Sequence, residues 1–506
     1  MRFRRLSAFG PLAVLAALAV PAAAADGPRA DGLRQPVVRL SWIEGDVSIA
    51  TGDAPGERRA GAVNDALTTG DRVRTGSESH AELQLRGAVL FLAPGTDLAF
   101  RASAQDSRLL ALSSGTMTVR VFGARGVDDL EVSTPNASVA LELPGVYRFD
   151  VSGAGDTAIS VARGRARVAT ADGGARLGWG DRMRVAGLVR PEYDLADLGP
   201  GDAWDRWVEA RSSRFRSVRS AAHVHADVCG VDDLDTGGEW ERTADRGWAW
   251  FPRVSGADWM PYRSGRFVWR DPWGWTWRSD EPWGWAPYHH GRWTIVRNRW
   301  AWLPDGPQGP APVWLPAVVA FVGSGPGGVG PLGSDGYVGW FPLGPGEPLQ
   351  PWWVRAEGPT GEPSHRYEHR ARAVYLPYAA FAHGRSGERD LVRGPDLLRS
   401  LRTAPLVRSP LPVPAEADGG EAQGATTGAP AGPLPRTSIA RPPLPVRRPT
   451  PPPRASAARP TPAPTPAEAP KPPPARRPRP LPRTPEPPTT AAPPWEAAPT
   501  PQPRRM

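Results

Sequence analysis

Residues 247–304 read GWAWFPRVSGADWMPYRSGRFVWRDPWGWTWRSDEPWGWAPYHHGRWTIVRNRWAWLP. Thirteen of the 22 tryptophans in the chain fall between Trp240 and Trp302, mostly as Trp-x-Trp pairs. The stretch is a repeat. Trp259-Met-Pro-Tyr262, Gly265-Arg266-Phe267 and Trp269 return 26 residues later as Trp285-Ala-Pro-Tyr288, Gly291-Arg292-Trp293 and Ile295. The pair Trp248/Trp250 comes back as Trp275/Trp277 and again as Trp300/Trp302. Each copy of such a repeat is one structural unit. Residues two apart on a strand share a face, so each pair lays two indoles side by side. Pro252, Pro287 and Pro304 stand where strands should stop, and the glycines supply turns. The spacing predicts two complete β-hairpin units and a partial third, with a degenerate continuation at Trp314 and in Tyr337-Val-Gly-Trp340-Phe-Pro342.

Bulk tryptophan has two uses. Small hairpins without disulfides need a large apolar payload per residue, and stacking of neighbouring copies would bury one face. Exposed indoles beside Tyr, His and Arg would instead offer a glycan flat apolar faces with polar tips for its hydroxyls. The candidates for such a platform are Trp248, Trp250, Trp259, Tyr262, Trp273, Trp275, Trp277, Trp283, Trp285, Tyr288, Trp293, Trp300 and Trp302. In composition the repeats resemble Gly-Trp cell-wall-binding modules, though their spacing differs. The ligand that fits this use is peptidoglycan or another envelope polysaccharide.

Upstream, residues 36–190 are a run of short alternating segments such as Ala81-Glu-Leu-Gln-Leu85, Met117-Thr-Val-Arg-Val121 and Val146-Tyr-Arg-Phe149. Each puts its apolar side chains on one face, with Gly, Asp, Asn and Pro between segments. Strand starts share a formula: Gly45-Asp-Val47, Gly115-Thr-Met117 and Gly164-Arg-Ala166. This predicts a mainly β chain headed by an all-β sandwich or solenoid-like domain.

The order of several motifs here resembles the FecR family of iron-dicitrate sensors. They are Ile43 to Ile49, Leu67-Thr-Thr-Gly70-Asp71-Arg-Val73-Arg-Thr75-Gly76, Ala81 to Leu85 and Leu110-Ala-Leu112-Ser-Ser-Gly115-Thr-Met117-Thr-Val119. Val132-Ser-Thr134-Pro135-Asn136-Ala137-Ser-Val139, Pro144-Gly145-Val146-Tyr-Arg-Phe149 and Val161 to Val168 follow. The resemblance implies a periplasmic β module that contacts an outer-membrane transducer and relays to a cytoplasmic anti-sigma segment. Such regulators carry a cytoplasmic helical segment and an internal membrane span. This chain departs from that plan, and its layout resembles exported FecR-domain proteins for which the resemblance implies no activity.

Residues 1–25 read as a cleavable signal peptide, with Arg2, Arg4 and Arg5 ahead of an apolar Leu12–Val20 and an Ala23-Ala24-Ala25 cleavage site. The apolar run is too short and too interrupted to span a membrane. Export would place the protein in the periplasm or envelope. Residues 202–222 carry Trp204, Trp207, Val208, Arg211, Phe215 and Val218 at helical spacing, with Asp202 as N-cap, and predict a linking helix. The Trp/Gly-rich module covers 240–345, a weakly structured extension 346–408, and a disordered Pro/Arg-rich tail 409–506. Residues 431–506 hold 28 of the 63 prolines and a net charge of +10, against +9 for the whole chain. The basicity therefore belongs to the tail, which argues against a specific nucleic-acid surface on the folded part. The tail arginines could instead meet an anionic envelope surface. Cys229 is the only cysteine, so no internal disulfide staples the fold.

Candidate chemistry is sparse. His289-His290, His223-x-His225 and His365-x3-His369 are the histidine clusters, and the arginines around the last disfavour a dication, so these read as solvated surface histidines. Asp227, Asp232, Asp233 and Asp235 lack the glycine and terminal glutamate of a calcium loop. No metal, cofactor or enzymatic activity is expected. The sequence predicts a non-enzymatic exported envelope protein that binds or scaffolds a protein partner or envelope glycan. Its alternative is a FecR-like signalling component that contacts an outer-membrane transducer in trans with a separate anti-sigma factor.

Overall fold

The computed structural model describes residues 36–52, 55–102, 108–123, 130–254, 258–325, 335–349, 366–385, 390–407 and 411. The signal peptide and all but one residue of the tail lie outside them. What is described is mostly β, as the alternation predicts.

The first region is built from seventeen strands. In chain order β1 is Val38–Glu44, β2 Val47–Ala50, β3 Arg59–Ala60, β4 Ala66–Leu67, β5 Arg72–Thr75 and β6 His80–Leu85. Next come β7 (Ala88–Leu92), β8 (Asp97–Ala102), β9 (Arg108–Val121), β10 (Leu130–Ser133), β11 (Ser138–Leu141) and β12 (Gly145–Val151). The set closes with β13 (Thr157–Arg163), β14 (Ala166–Thr170), β15 (Gly173–Leu177), β16 (Asp181–Ala186) and β17 (Glu192–Asp197).

They pair into two sheets. One runs β4-β1-β6-β7-β9-β12-β13-β16-β17, the other β3-β2-β5-β8-β9-β10-β11-β14-β15. Strand β9 belongs to both. Its first half pairs with β8 and its second with β7 and β12, and the change falls at Gly115, whose φ is +90°. A Cβ there would lie 2.5 Å from the Thr96 Cα, so only glycine lets the strand cross between layers. Side chains from both sheets, among them Leu40, Ile49, Leu83, Leu112, Val132, Phe149 and Val161, form one core. The expected sandwich is present.

Strand β7 reads Ala-Val-Leu-Phe-Leu and is buried throughout, not alternating. The reason is a helix on its outer face: α1 (Ala203–Ser212) packs Trp204, Trp207 and Val208 over Val89 and Phe91. Asp202 caps it in a reciprocal capping box with Asp205. The helix was expected to run to Ala222, and it stops ten residues short. Ser212 and Ser213 bond back to the carbonyls of Val208 and Ala210 and compete with the backbone ladder. Two short 3-10 turns follow at Ser213–Arg216 and Arg219–Ala222, the second held by Asp235, which accepts from the amides of Arg219 and Ser220 at 2.8 and 2.9 Å.

Helix α2 (Val231–Gly237) leads into the tryptophan region. Three hairpins follow: β18 (Gly238–Thr243) with β19 (Gly247–Pro252), β20 (Gly265–Arg270) with β21 (Gly274–Ser279), and β22 (Arg292–Val296) with β23 (Arg299–Leu303). The third hairpin is complete, not partial. In each, the Trp-x-Trp pair lies on the returning strand. The Trp-x-Pro-Tyr copies differ: Trp285–His289 is a one-turn helix, α3, while Trp259–Tyr262 is a turn ending at Tyr262 with φ +61°. Pro287 thus stands inside a helix's first turn, where its missing N–H costs nothing, and does not end a strand.

The first and third hairpins join through Trp250 and Trp302 into a four-stranded sheet. Paired residues share a face. Trp240, Trp250, Trp302 and Trp293 therefore form a ladder across it. A last sheet of β24 (Val319–Ser324), β25 (Tyr337–Pro342) and β26 (Val374–Pro377) completes the body with α4 (Tyr378–Ala382) and α5 (Pro395–Leu401). The extension expected to be weakly structured thus buries Tyr375, Phe381 and Leu401 in these cores.

Candidate functional site

The aromatic residues proposed as a sugar platform are mostly core. Ten of the thirteen are buried, Trp259 and Trp300 are half-buried, and Trp248 is 47% exposed. Their rings meet at interplanar angles such as 61° for Trp250/Trp283 and 66° for Phe267/Trp277, the edge-to-face packing of an interior and not a coplanar surface. Several of the indole N–H groups are spent inside as well, though that of Trp277 is buried with no hydrogen-bond partner among the described residues. Trp250 donates to the Leu234 carbonyl, Trp293 to Pro287, Trp302 to His290 and Trp340 to Tyr262, all at 2.8 to 3.0 Å. Tyr262 is the hub: its hydroxyl donates to the Tyr288 carbonyl at 2.7 Å and accepts from the Val318 amide at 2.9 Å. Complete burial pushes its hydroxyl well above the ordinary tyrosine range.

The histidines also differ from expectation. His225, His289, His290 and His369 are buried, not solvated. Burial holds His289 down to about 3 and His290 down to about 4, so both are neutral. His365 lies outside the described residues. Among the described residues no three His, Cys, Asp or Glu side chains are gathered as a metal would require.

A polar seam joins the sandwich to the aromatic body. Arg39, buried on β1, donates to Asn64, to Gln84 and to the Pro282 carbonyl, and meets Asp233 at 2.6 Å. Arg270 and Arg278 of the second hairpin reach Asp71 and Asp65 at 2.6 and 3.4 Å. Glu82, wholly buried, is matched by Arg211 and Arg214. Nothing in the charge pattern alone shows this seam, because its ion-pair partners lie roughly 130 to 215 residues apart in sequence.

The surface left open is the far end of the sandwich. Every residue of β17 is exposed, and nothing described pairs with its outer edge. Tyr193 and Leu195 point to the inner side, opposite Val185 and Met183, but β15 covers them only through a 3.3 Å bond from the Tyr193 hydroxyl to Gly174. Trp179 is 79% and Val189 90% exposed beside them, with Leu188 and Leu195 above half. Glu192, Asp194 and Asp197 make no ion pair among the described residues. The Leu198 amide donates inward to Gly180 at 2.6 Å. By alternation, the amides of Tyr193, Leu195 and Asp197 face solvent. An exposed edge with apolar side chains is a template for another strand.

Residues 71–167 match the model of the FecR protein family. The chain carries a FecR domain. Residues 231–347 match a family of unknown function, DUF6600. The FecR match opens at Asp71 and the DUF6600 match contains Arg270, so that ion pair ties the two matched regions together. Strands β15 to β17 lie beyond the matched FecR residues. No curated protein matches the chain. Two crystal structures of a "putative anti-sigma factor" from Parabacteroides distasonis are similar in part. One shares 22% identity over 25% of this chain and 59% of its own, with a TM-score of 0.22. The other shares 19% over 27% of this chain and 64% of its own, with a TM-score of 0.24. The chain thus spans less than two thirds of either. No helix among the described residues is long and apolar enough to cross a membrane.

Proposed function

We propose that the protein is a non-enzymatic, exported envelope protein whose β sandwich, which includes the FecR domain, binds a protein partner by strand addition at its open end, beyond the matched FecR residues. The aromatic body serves as its rigid base. The observation that carries this reading is β17, an edge strand with outward amides, exposed Tyr193 and Leu195, and three unpaired carboxylates. Self-pairing across a two-fold axis would bring those carboxylates together, which disfavours a second copy. The complementary partner is an extended segment that alternates apolar and basic residues. A protein partner is favoured over an envelope glycan because the indoles that would stack on a sugar are buried.

The test uses the purified full chain as bait for envelope proteins of the producing cells, with Leu195→Pro and Trp248→Ala beside it. Leu195→Pro removes one outward amide without touching a bond of the sheet. One partner lost to Leu195→Pro and kept by Trp248→Ala is the expected result. The same set of proteins on all three baits would overturn the reading. An outer-membrane transducer as that partner would make the protein a signalling component.

A further inference from the structure

Where α1 ends early, the chain steps off the sandwich and leaves the end of β7 uncovered. A cleft of about 370 Å³ opens there, within the range of small-molecule sites. Leu85, Val89 and Phe122 line it from the sandwich, and Phe215, Val224 and Val228 from the connector. Phe122 is 44% exposed at its rim. An apolar surface of this kind is costly to leave in water unless something fills it.

Gln84, Cys229 and Asp232 form one wall; of the polar groups lining the rest, Arg216 is paired with Glu209 and the His225 ring accepts from the Asp227 amide. Gln84 is already saturated: its oxygen accepts from the Gly230 amide at 2.9 Å and from Arg39, and its nitrogen donates to Asp232. Asp232 is different. Its contacts are long, 3.2 and 3.5 Å from Gln84 and 3.3 Å from the Arg214 Nε, so a buried carboxylate keeps acceptor capacity. It belongs to a cluster in which Glu82, Asp232 and Asp233 face Arg39, Arg211 and Arg214, so the charges offset one another and a cationic head gains no net attraction there.

We propose that this cleft binds a small amphipathic alcohol: a narrow apolar body along the Val and Phe walls, with a hydroxyl that donates to Asp232. A carboxylate head on the same body is rejected, because it would meet Asp232. The site is separate from the open end of the sandwich and does not rest on the partner proposed there.

Cys229 lines the cleft and is the only thiol of the chain, so it reports occupancy directly. The rate of its reaction with a maleimide is measured on the full chain while decan-1-ol or decanoate is added. Decan-1-ol is expected to slow modification saturably, by about tenfold or more, and decanoate far less. Val224→Trp, which fills the cleft, should abolish the protection; Ala221→Trp at the exposed rim replaces it if that variant fails to fold. Calorimetric titration with decan-1-ol gives the same comparison without the thiol. Equal protection by decanoate, protection that survives the filled variant, or no saturable heat and no protection each overturns the proposal.

Discussion

The guanidinium of Arg270 lies 2.6 Å from the carboxylate of Asp71, and both side chains are buried. Asp71 also accepts from the amides of Thr68 and Gly52, at 2.9 and 3.0 Å, so one carboxylate shapes the turn before β5 and anchors the second hairpin. Burial pushes its carboxyl above the ordinary range despite the guanidinium. Removing one member of such a pair strands the other as a buried charge, at a cost of roughly 3–5 kcal/mol. Arg270→Met is expected to lose about 3 kcal/mol or more in urea unfolding, and Arg270→Met with Asp71→Asn to recover part of it. Additive losses in the double variant would mean the two side chains are not coupled.

Tyr262 joins three segments through one side chain and one carbonyl. Tyr262→Phe keeps the ring but leaves the Val318 amide and the Tyr288 carbonyl without their buried partner. Each such orphan costs about 1–3 kcal/mol. The variant should unfold at lower denaturant with an unchanged dependence on its concentration. A midpoint equal to the parent's would show that water replaces the hydroxyl.

Much of this architecture is legible in the residues. The alternation of Tyr147, Phe149 and Val151 on β12 is the alternation of their burial, and the Trp-x-Trp period does place both indoles of each pair on one face. Which face is wet is not written there. A two-residue period says that Trp275 and Trp277 point the same way, but their burial comes from Phe267, Trp340 and Phe381, and Phe381 lies about a hundred residues further on. The same holds for His289 and His290, polar by composition and both buried, His289 between Trp285 and Trp314. The end of α1 at Ser212 was hidden because helical spacing continues through Phe215, while paired serines and Asp235 redirect the chain. The open end was hidden for a different reason: the alternating run is read as ending at residue 190, and Glu192–Asp197 adds one more strand beyond it whose missing neighbour leaves it exposed.

The ladder Trp240, Trp250, Trp302, Trp293 separates the two uses of tryptophan. Trp302 is fully buried at its centre, and truncation there removes packing on both sides. Trp302→Ala is expected to cost about 3–5 kcal/mol. Trp248→Ala, on the same sheet face as Trp250 but half-exposed beside His223 at the start of the strand, should cost far less, about 1 kcal/mol or below. Thermal unfolding of both variants checks this. Comparable losses would mean that Trp248 is packed in solution as deeply as the ladder.

Acid should act on this fold through opposing buried groups. His289 and His290 titrate in the unfolded chain near their ordinary 6.5 but only at about 3 and about 4 when folded. Their contribution is therefore complete above about pH 6.5 and is lost as pH falls, by about 1.4 kcal/mol per unit for each group. Asp232 runs the other way. Burial, with Asp233 beside it, raises it from 3.8 to about 6, so the folded chain takes up its proton first and gains stability as pH falls through that window. Relative to the parent, Asp232→Asn should steepen the loss of stability between about pH 6 and about pH 4 by roughly 1.4 kcal/mol per unit, and His290→Gln should flatten it by the same amount. Denaturant unfolding across that range reads both slopes. A His290→Gln profile parallel to the parent's would mean that His290 is solvated and its burial wrong.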